Sequence, residues 1–422
     1  MVKYITCVLV ATFIALCSSQ PLDKLPVLEP VPSVAYFQVS KDAVPFTLRC
    51  SAPGRASGVK FHWQKNGKDL NIDNENIIQR GGDITILKPT ENDAGQYKCL
   101  ADSVTGVASS RTINVQKAFI DPTKSEVKTH KPIEGKPFKL DCKIPASNPK
   151  PKISWSYQLV ADPSVSNELM NPRILASPDG DLYFSNITKE DVNIKFKYVC
   201  VAESPVTHEK VVLAEHILDE AVPSSDQDNE LTDQYISQDM TAKYGEVTMI
   251  YCIFGGTPLA HPDWFKDGVD VNGQPGDRIT RYNRSKGRRL LIRETWFEDE
   301  GSFKCVGNNE VGKPREHIVK LNVVAAPQAL KIPSSVTPAK TGEDVTIPCQ
   351  INGLPAPKMS WTFNTAPLAQ SDRLTINQST IGNLTIADLT IKDVKTSDKG
   401  YYGCAGVNDY GDIYSETLLN VA

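Results

Sequence analysis

The chain has 422 residues, with 46 Lys and Arg against 50 Asp and Glu, for a formal net charge of −4. With 40% apolar and 23% charged residues it is too rich in core formers for a disordered chain and too evenly charged for a nucleic-acid binder. Ten cysteines are too few for a small disulfide scaffold, and their even number suits paired cysteines in an oxidising compartment.

The chain opens with one positive charge at Lys3, an apolar run from Ile5 to Leu16, and the small residues Cys17, Ser18 and Ser19. This pattern predicts a secretory signal peptide over 1–19, too short for the roughly 20 apolar residues of a membrane span. Cleavage there removes Cys7 and Cys17 and leaves eight cysteines. The last residues, Leu418-Leu419-Asn420-Val421-Ala422, carry no apolar tail. The expectation is therefore a secreted, extracellular protein with no membrane insertion.

The eight cysteines fall as Cys50 and Cys99, Cys142 and Cys200, Cys252 and Cys305, and Cys349 and Cys404. They recur with a period of about 100 residues, which means repeated whole domains and not solenoid units. Trp63, Trp155, Trp264 and Trp361 each follow the first cysteine of a set by about a dozen residues, and Tyr97, Tyr198, Phe303 and Tyr402 stand two before the second. An acidic-x-Gly turn precedes three of these, at Asp93-Ala94-Gly95, Asp299-Glu300-Gly301 and Asp398-Lys399-Gly400.

Cysteine, tryptophan, corner tyrosine and cysteine in this order form the signature of an immunoglobulin-like sandwich, in which one disulfide ties two sheets and the indole packs against it. Phe46-Thr47-Leu48-Arg49-Cys50 and Val345-Thr346-Ile347-Pro348-Cys349 alternate as strands with one buried face, as do Ile84-Thr85-Ile86 and Leu384-Thr385-Ile386. Asn66-Gly67 and Asp267-Gly268 are hairpin-turn dipeptides, and Asn309–Gly312 and Asn408–Gly411 mark later hairpins. The predicted fold is all-β, with four tandem I-set/C2-type sandwiches over 25–117, 118–214, 238–324 and 325–422. Two departures stand out. Phe303 lacks the corner hydroxyl, and Asp191-Val192-Asn193-Ile194-Lys195-Phe196-Lys197 lengthens the second domain's corner.

Between the second and third sandwiches, 215–237 reads as a flexible linker with Glu215, Asp219, Glu220, Asp226, Asp228, Glu230 and Asp233 repelling one another. Asp226-x-Asp228-x-Glu230 superficially suits calcium, but Leu231 and Ser237 stand where an EF-hand loop needs Gly and Glu, so no metal is expected.

No catalytic constellation is present. His62, His130, His208, His216, His261 and His317 are scattered singly, no phosphate loop or nucleophile elbow occurs, and four bridges leave no free thiol. The expectation is a protein without enzymatic activity or cofactor. The concentrated feature is a run of cations without an intervening acid: Arg278, Arg281, Arg284, Lys286, Arg288, Arg289 and Arg293. Alternation turns Leu290 and Ile292 inward and Arg289 and Arg293 outward, with Ser285-Lys286-Gly287 as a turn presenting Arg284 and Arg288. Arginine forks bind phosphate bidentately, so the strip reads as a site for an anionic glycan or lipid. The alternative reading is a solvated face that offsets the acidic linker. Sequons at Asn186, Asn283, Asn377 and Asn383 are candidate N-glycosylation sites.

Four such sandwiches behind a signal peptide, with the early segment Leu22-Asp23-Lys24-Leu25-Pro26-Val27-Leu28, resemble the hemolin family of insect haemolymph immune proteins. Trp264-Phe265-Lys266-Asp267-Gly268 resembles an element shared with neuroglian-type neural adhesion molecules. The resemblance implies a horseshoe with domain 1 on domain 4 and domain 2 on domain 3. It also implies binding to bacterial lipopolysaccharide and lipoteichoic acid, attachment to haemocytes, and homophilic self-association. A soluble adhesion or developmental ligand with no microbial target is the alternative.

Overall fold

The structure is a computed structural model and describes residues 27–52, 58–169, 171–226, 228–272, 278–282 and 285–422. The expected signal peptide, Asn283 and Arg284 lie outside the described residues. Each sandwich forms because apolar residues alternate along short strands and close on a disulfide. In domain 1 Val34–Gln38, Ile113–Ile120, Gly95–Ser103, Lys60–Lys65 and Lys68–Asp69 form one sheet, and Phe46–Leu48, Asp83–Ile86 and Ile77–Arg80 form the other. Val34–Gln38 pairs in parallel with the last strand of its domain, Val34 opposite Asn114, and a short early strand makes the same parallel pairing in every domain.

The four disulfides join Cys50 to Cys99, Cys142 to Cys200, Cys252 to Cys305 and Cys349 to Cys404. Each indole is buried, and its N–H donates to a backbone carbonyl across the core, of Gly82, Gly180, Gly287 and Ala387, at 2.7–2.8 Å. An indole held this way is worth about 3–5 kcal/mol when truncated to Ala. The corner tyrosines Tyr97, Tyr198 and Tyr402 donate to the carbonyls of Asp93, Asp191 and Asp398. The tyrosine reaches back four residues in domains 1 and 4 and seven in domain 2, which is the longer corner that its sequence predicts.

Two connections are continuous strands. Ile113–Ile120 pairs with domain 1 and then with Ser147–Asn148 of domain 2. Arg315–Lys331 pairs with Gly301–Gly307 of domain 3 and then with Gln350–Leu354 of domain 4. Shared ladder hydrogen bonds make each pair stiff.

The middle connection differs from the expected 215–237. Glu215 lies inside the strand Lys210–Leu218, and Asn229–Ile236 is a strand paired with Thr248–Thr257. Three of the intervening acids meet lysines of domain 2: Lys131 lies 3.7 Å from Asp219 and 3.5 Å from Glu220, and Lys136 lies 3.1 Å from Asp226. Composition implied self-repulsion, but domain 2 supplies the counter-charges. The chain reverses here, so domain 1 packs on domain 4 and domain 2 on domain 3 in a horseshoe. Among the described residues no helix is long and apolar enough to cross a membrane.

Candidate functional site

The basic strip of domain 3 occupies the strand Ile279–Arg281, the following turn and the strand Arg289–Ile292. The two strands pair antiparallel, Ile279 opposite Ile292, so Leu290 and Ile292 fill the core. Gly287, at φ +81°, completes the turn; a Cβ there would lie 2.7 Å from the Pro262 carbonyl oxygen. Alternation therefore places the strand as predicted, but the cations do not form one surface.

Arg278 is not available to a ligand. Its two terminal nitrogens grip the buried Asp299 carboxylate at 2.6 and 2.8 Å, and the fork lies 4.0 Å over the Trp296 ring. The same fork recurs as Arg173 on Asp191 and Arg373 on Asp398. It is thus a structural brace of this sandwich type, legible in the sequence as an arginine repeated upstream of the corner acid. Arg281 is also engaged, with Asp263 at 3.2 Å and the His261 carbonyl at 2.8 Å.

Arg288 overturns the expectation most sharply. It is 1% exposed, not presented by the turn. One terminal nitrogen donates to the Pro172 carbonyl of domain 2, while Nε and the other terminal nitrogen have no hydrogen-bond partner among the described residues. Burial, with the Arg173 charge nearby, pushes this guanidinium down to about 10. Periodicity within domain 3 cannot register a second domain lying on the strand's outer side.

Lys286 and Arg293 remain exposed, and the half-buried Arg289 lies over Tyr282 at 4.6 Å. The field there is positive. His261 is held below its usual value, first by burial and then by Arg288, Lys286 and Arg281.

The domain seams carry the remaining unusual chemistry. Domain 1 meets domain 4 through Ala101, Ala108, Tyr401 and Leu418. Around them the Glu416 carboxylate accepts the Ser109 N–H at 2.9 and 3.1 Å and the Tyr414 hydroxyl at 2.7 Å. Arg111 pairs with Asp412 at 2.8 Å, and Asn364 accepts the Val107 N–H at 3.3 Å. Burial raises the Glu416 carboxyl to about 7, against the Ser109 N–H, the Tyr414 hydroxyl and Lys98, which lower it. Domain 2 meets domain 3 through Leu175, Tyr183 and Ile253, with Tyr235 and Tyr251 packed against them. The Gly256 N–H donates to the Ser185 carbonyl at 2.9 Å, and Thr257 Oγ1 donates to the Gly135 carbonyl at 2.7 Å.

The sequence marks Arg288 and Asn186 for other reasons and not as seam residues, yet a signal for the seams exists. Tyr401-Tyr402, Leu418-Leu419, Leu182-Tyr183-Phe184 and Cys252-Ile253-Phe254 are all buried, although neighbours on a strand face opposite ways. Tyr402 and Leu419 enter the sandwich core, and Tyr401 and Leu418 enter the seam. Lost alternation marks a sheet covered on both faces.

Comparison with known proteins agrees with this architecture. Residues 232–323 and 327–421 match the immunoglobulin I-set domain, and residues 25–117 match the immunoglobulin domain. The chain is 46% identical to hemolin of Manduca sexta over 98% of both chains, and 44% identical to hemolin of Hyalophora cecropia over 96% of both. Neuroglian of Drosophila melanogaster is 34% identical over 93% of this chain, which spans 30% of that protein. A crystal structure of the insect immune protein hemolin, described as a domain arrangement with implications for homophilic adhesion, matches with a TM-score of 0.87 at 43% identity. That match covers 94% of this chain and 100% of the other.

Proposed function

The chain belongs to the hemolin family of immunoglobulin-domain proteins, and from that premise we propose that it is a secreted, non-catalytic recognition protein of insect immunity. Its targets are anionic polymers of bacterial surfaces, lipopolysaccharide and lipoteichoic acid, together with the haemocyte surface, where it modulates adhesion and aggregation. The observation that carries this reading is the likeness to hemolin across all four domains in one arrangement. The anion-binding part rests on Lys286, Arg289 and Arg293, with Arg284 beside them in the sequence. Arginine forks there engage phosphate, and the positive field draws the polymer in.

The test is a pull-down of the purified protein on bacteria and on haemocytes across a salt series. Binding to lipopolysaccharide should weaken as salt rises. The triple variant Lys286→Ala, Arg289→Ala, Arg293→Ala should lose roughly tenfold in affinity while remaining folded. Unchanged affinity removes the strip from the function.

A second reading is a soluble adhesion ligand acting through homophilic or heterophilic protein contacts. The neuroglian relationship and the adhesion implications drawn for hemolin favour it. Self-association that survives the triple variant, with no capture on bacteria, selects this reading over the first.

A further inference from the structure

The sequon Asn186-Ile187-Thr188 stands apart from the others in what its asparagine touches. Asn186 is 8% exposed and lies in the seam between domains 2 and 3. Its Nδ2, the atom that a glycan would occupy, donates to Thr257 Oγ1 of domain 3 at 3.1 Å. Its Oδ1 is buried without a hydrogen-bond partner among the described residues. The adjacent Ser185 carbonyl receives the Gly256 N–H, so both backbone and side chain here belong to the seam. Asn377, by contrast, is exposed on the strand Leu374–Ile381, and its Nδ2 reaches only Thr390 of its own domain at 3.1 Å. Asn383 sits half-buried in the turn of that hairpin. Asn283 lies outside the described residues.

Order of synthesis matters at this position. Domains fold as units from the N-terminus during synthesis, and Thr257 follows the whole of domain 2 in the chain. When Asn186 emerges, its amide has no partner, and the sequon is open to transfer. In that transfer Nδ2 bonds to C1 of the reducing-end sugar of a lipid-pyrophosphate-linked oligosaccharide. The C1–O bond to pyrophosphate breaks, the amide gives up one proton, and the lipid pyrophosphate leaves. The bulky product stands where Thr257 Oγ1 would otherwise approach.

We propose that Asn186 is a glycosylation site that sets the domain arrangement: the bare asparagine closes domain 2 on domain 3, and a glycan on its Nδ2 keeps them apart. The effect reaches the far end of the molecule because each domain pair is stiff. Ile113–Ile120 ties domain 1 to domain 2, and Arg315–Lys331 ties domain 3 to domain 4. A wedge beside the reversal therefore swings domain 1 off domain 4. One chain then exists as two glycoforms of different shape, a closed horseshoe and an open array.

This rests on the secretion proposed above, because the donor oligosaccharide is met only on the secretory path. The experiment expresses the full chain in insect cells, maps glycopeptides by mass spectrometry, and separates glycoforms on a lectin column. Small-angle scattering then gives each a radius of gyration. Chains glycosylated at Asn186 should have a radius roughly 1.5-fold or more above that of bare chains. Asn186→Gln and Thr188→Ala should each yield only the compact form, and Thr188→Ala does so with the Asn186–Thr257 contact intact. Asn186, Thr188 and Thr257 line a polar cleft with Glu134, Ser224 and Asp226, and a glycan at Asn186 accommodated there on a compact chain overturns the proposal. So does a bare Asn186 in a chain modified at Asn377. A chain bare at every sequon removes the secretion reading along with it.

Discussion

Where domain 1 meets domain 4 the charge in the seam is the half-buried Glu416 carboxylate, held by the Ser109 N–H and the Tyr414 hydroxyl; where domain 2 meets domain 3 it is the buried Arg288 guanidinium, with the Pro172 carbonyl and two nitrogens unpartnered among the described residues. Desolvation acts on both, in opposite directions. It lifts Glu416 to about 7, within the physiological range, and lowers Arg288 only to about 10. One seam therefore titrates near neutrality, and the other keeps its charge and depends on aromatic packing by Tyr183, Tyr235 and Tyr251. Two seams of one horseshoe thus respond to different conditions.

The largest effects should come from removing the close approach that each seam requires. A Cβ at Gly255 would lie 2.4 Å from Pro137 of domain 2, and one at Gly106, whose φ is +132°, would lie 2.4 Å from Asn364 of domain 4. Gly255→Val and Gly106→Val should each weaken their seam by about 3 kcal/mol or more, without unfolding the sandwiches. Scattering checks this: both variants should lose the compact radius. A variant that stays compact shows that its seam does not depend on the glycine.

Acidity should act on one seam alone. Glu416 has a folded value above that of a free carboxyl, so the closed domain 1–domain 4 contact binds the proton more tightly than the open one. Its contribution is fully present below the ordinary glutamate value of 4.5 and is lost as pH rises through about 7. The facing groups are Lys98, the Tyr414 hydroxyl, and the Arg111–Asp412 pair. The loss should be about 2 kcal/mol, discounted for solvent reaching a partly exposed residue. Energy transfer between dyes on domains 1 and 4 should fall across this interval, and Glu416→Gln should flatten the curve. An equal slope between domains 2 and 3 would erase the distinction.

The smallest effect is expected at Arg288. Replacing a buried unpaired charge with an apolar side chain of similar length is often neutral or stabilising. Arg288→Met should leave thermal stability unchanged or raise it by about 1 kcal/mol. A loss above about 2 kcal/mol would mean that the contact with Pro172 outweighs desolvation.

Much of this molecule is legible in its residues. Cys50, Trp63, Tyr97 and Cys99, and their three counterparts, specify sheet-to-sheet packing inside one domain, and every partner lies within that domain. The strand Arg289–Ile292 was read correctly for the same reason. The Arg278–Asp299 fork is visible only in its repetition at Arg173 and Arg373, because a run of cations in sequence does not show which acid each one faces in space.

The sequence by itself determined four sandwiches, four disulfides and the longer corner of domain 2, since these follow from short-range periodicity and a repeated signature. Only the tertiary structure decided that Arg288 is buried, that Glu416 titrates near neutrality and that Asn186 faces Thr257. Each depends on a surface contributed by another domain, and desolvation is set by what lies across a seam. Alternation along a strand cannot encode that, save where it fails, as at Tyr401-Tyr402 and Leu418-Leu419.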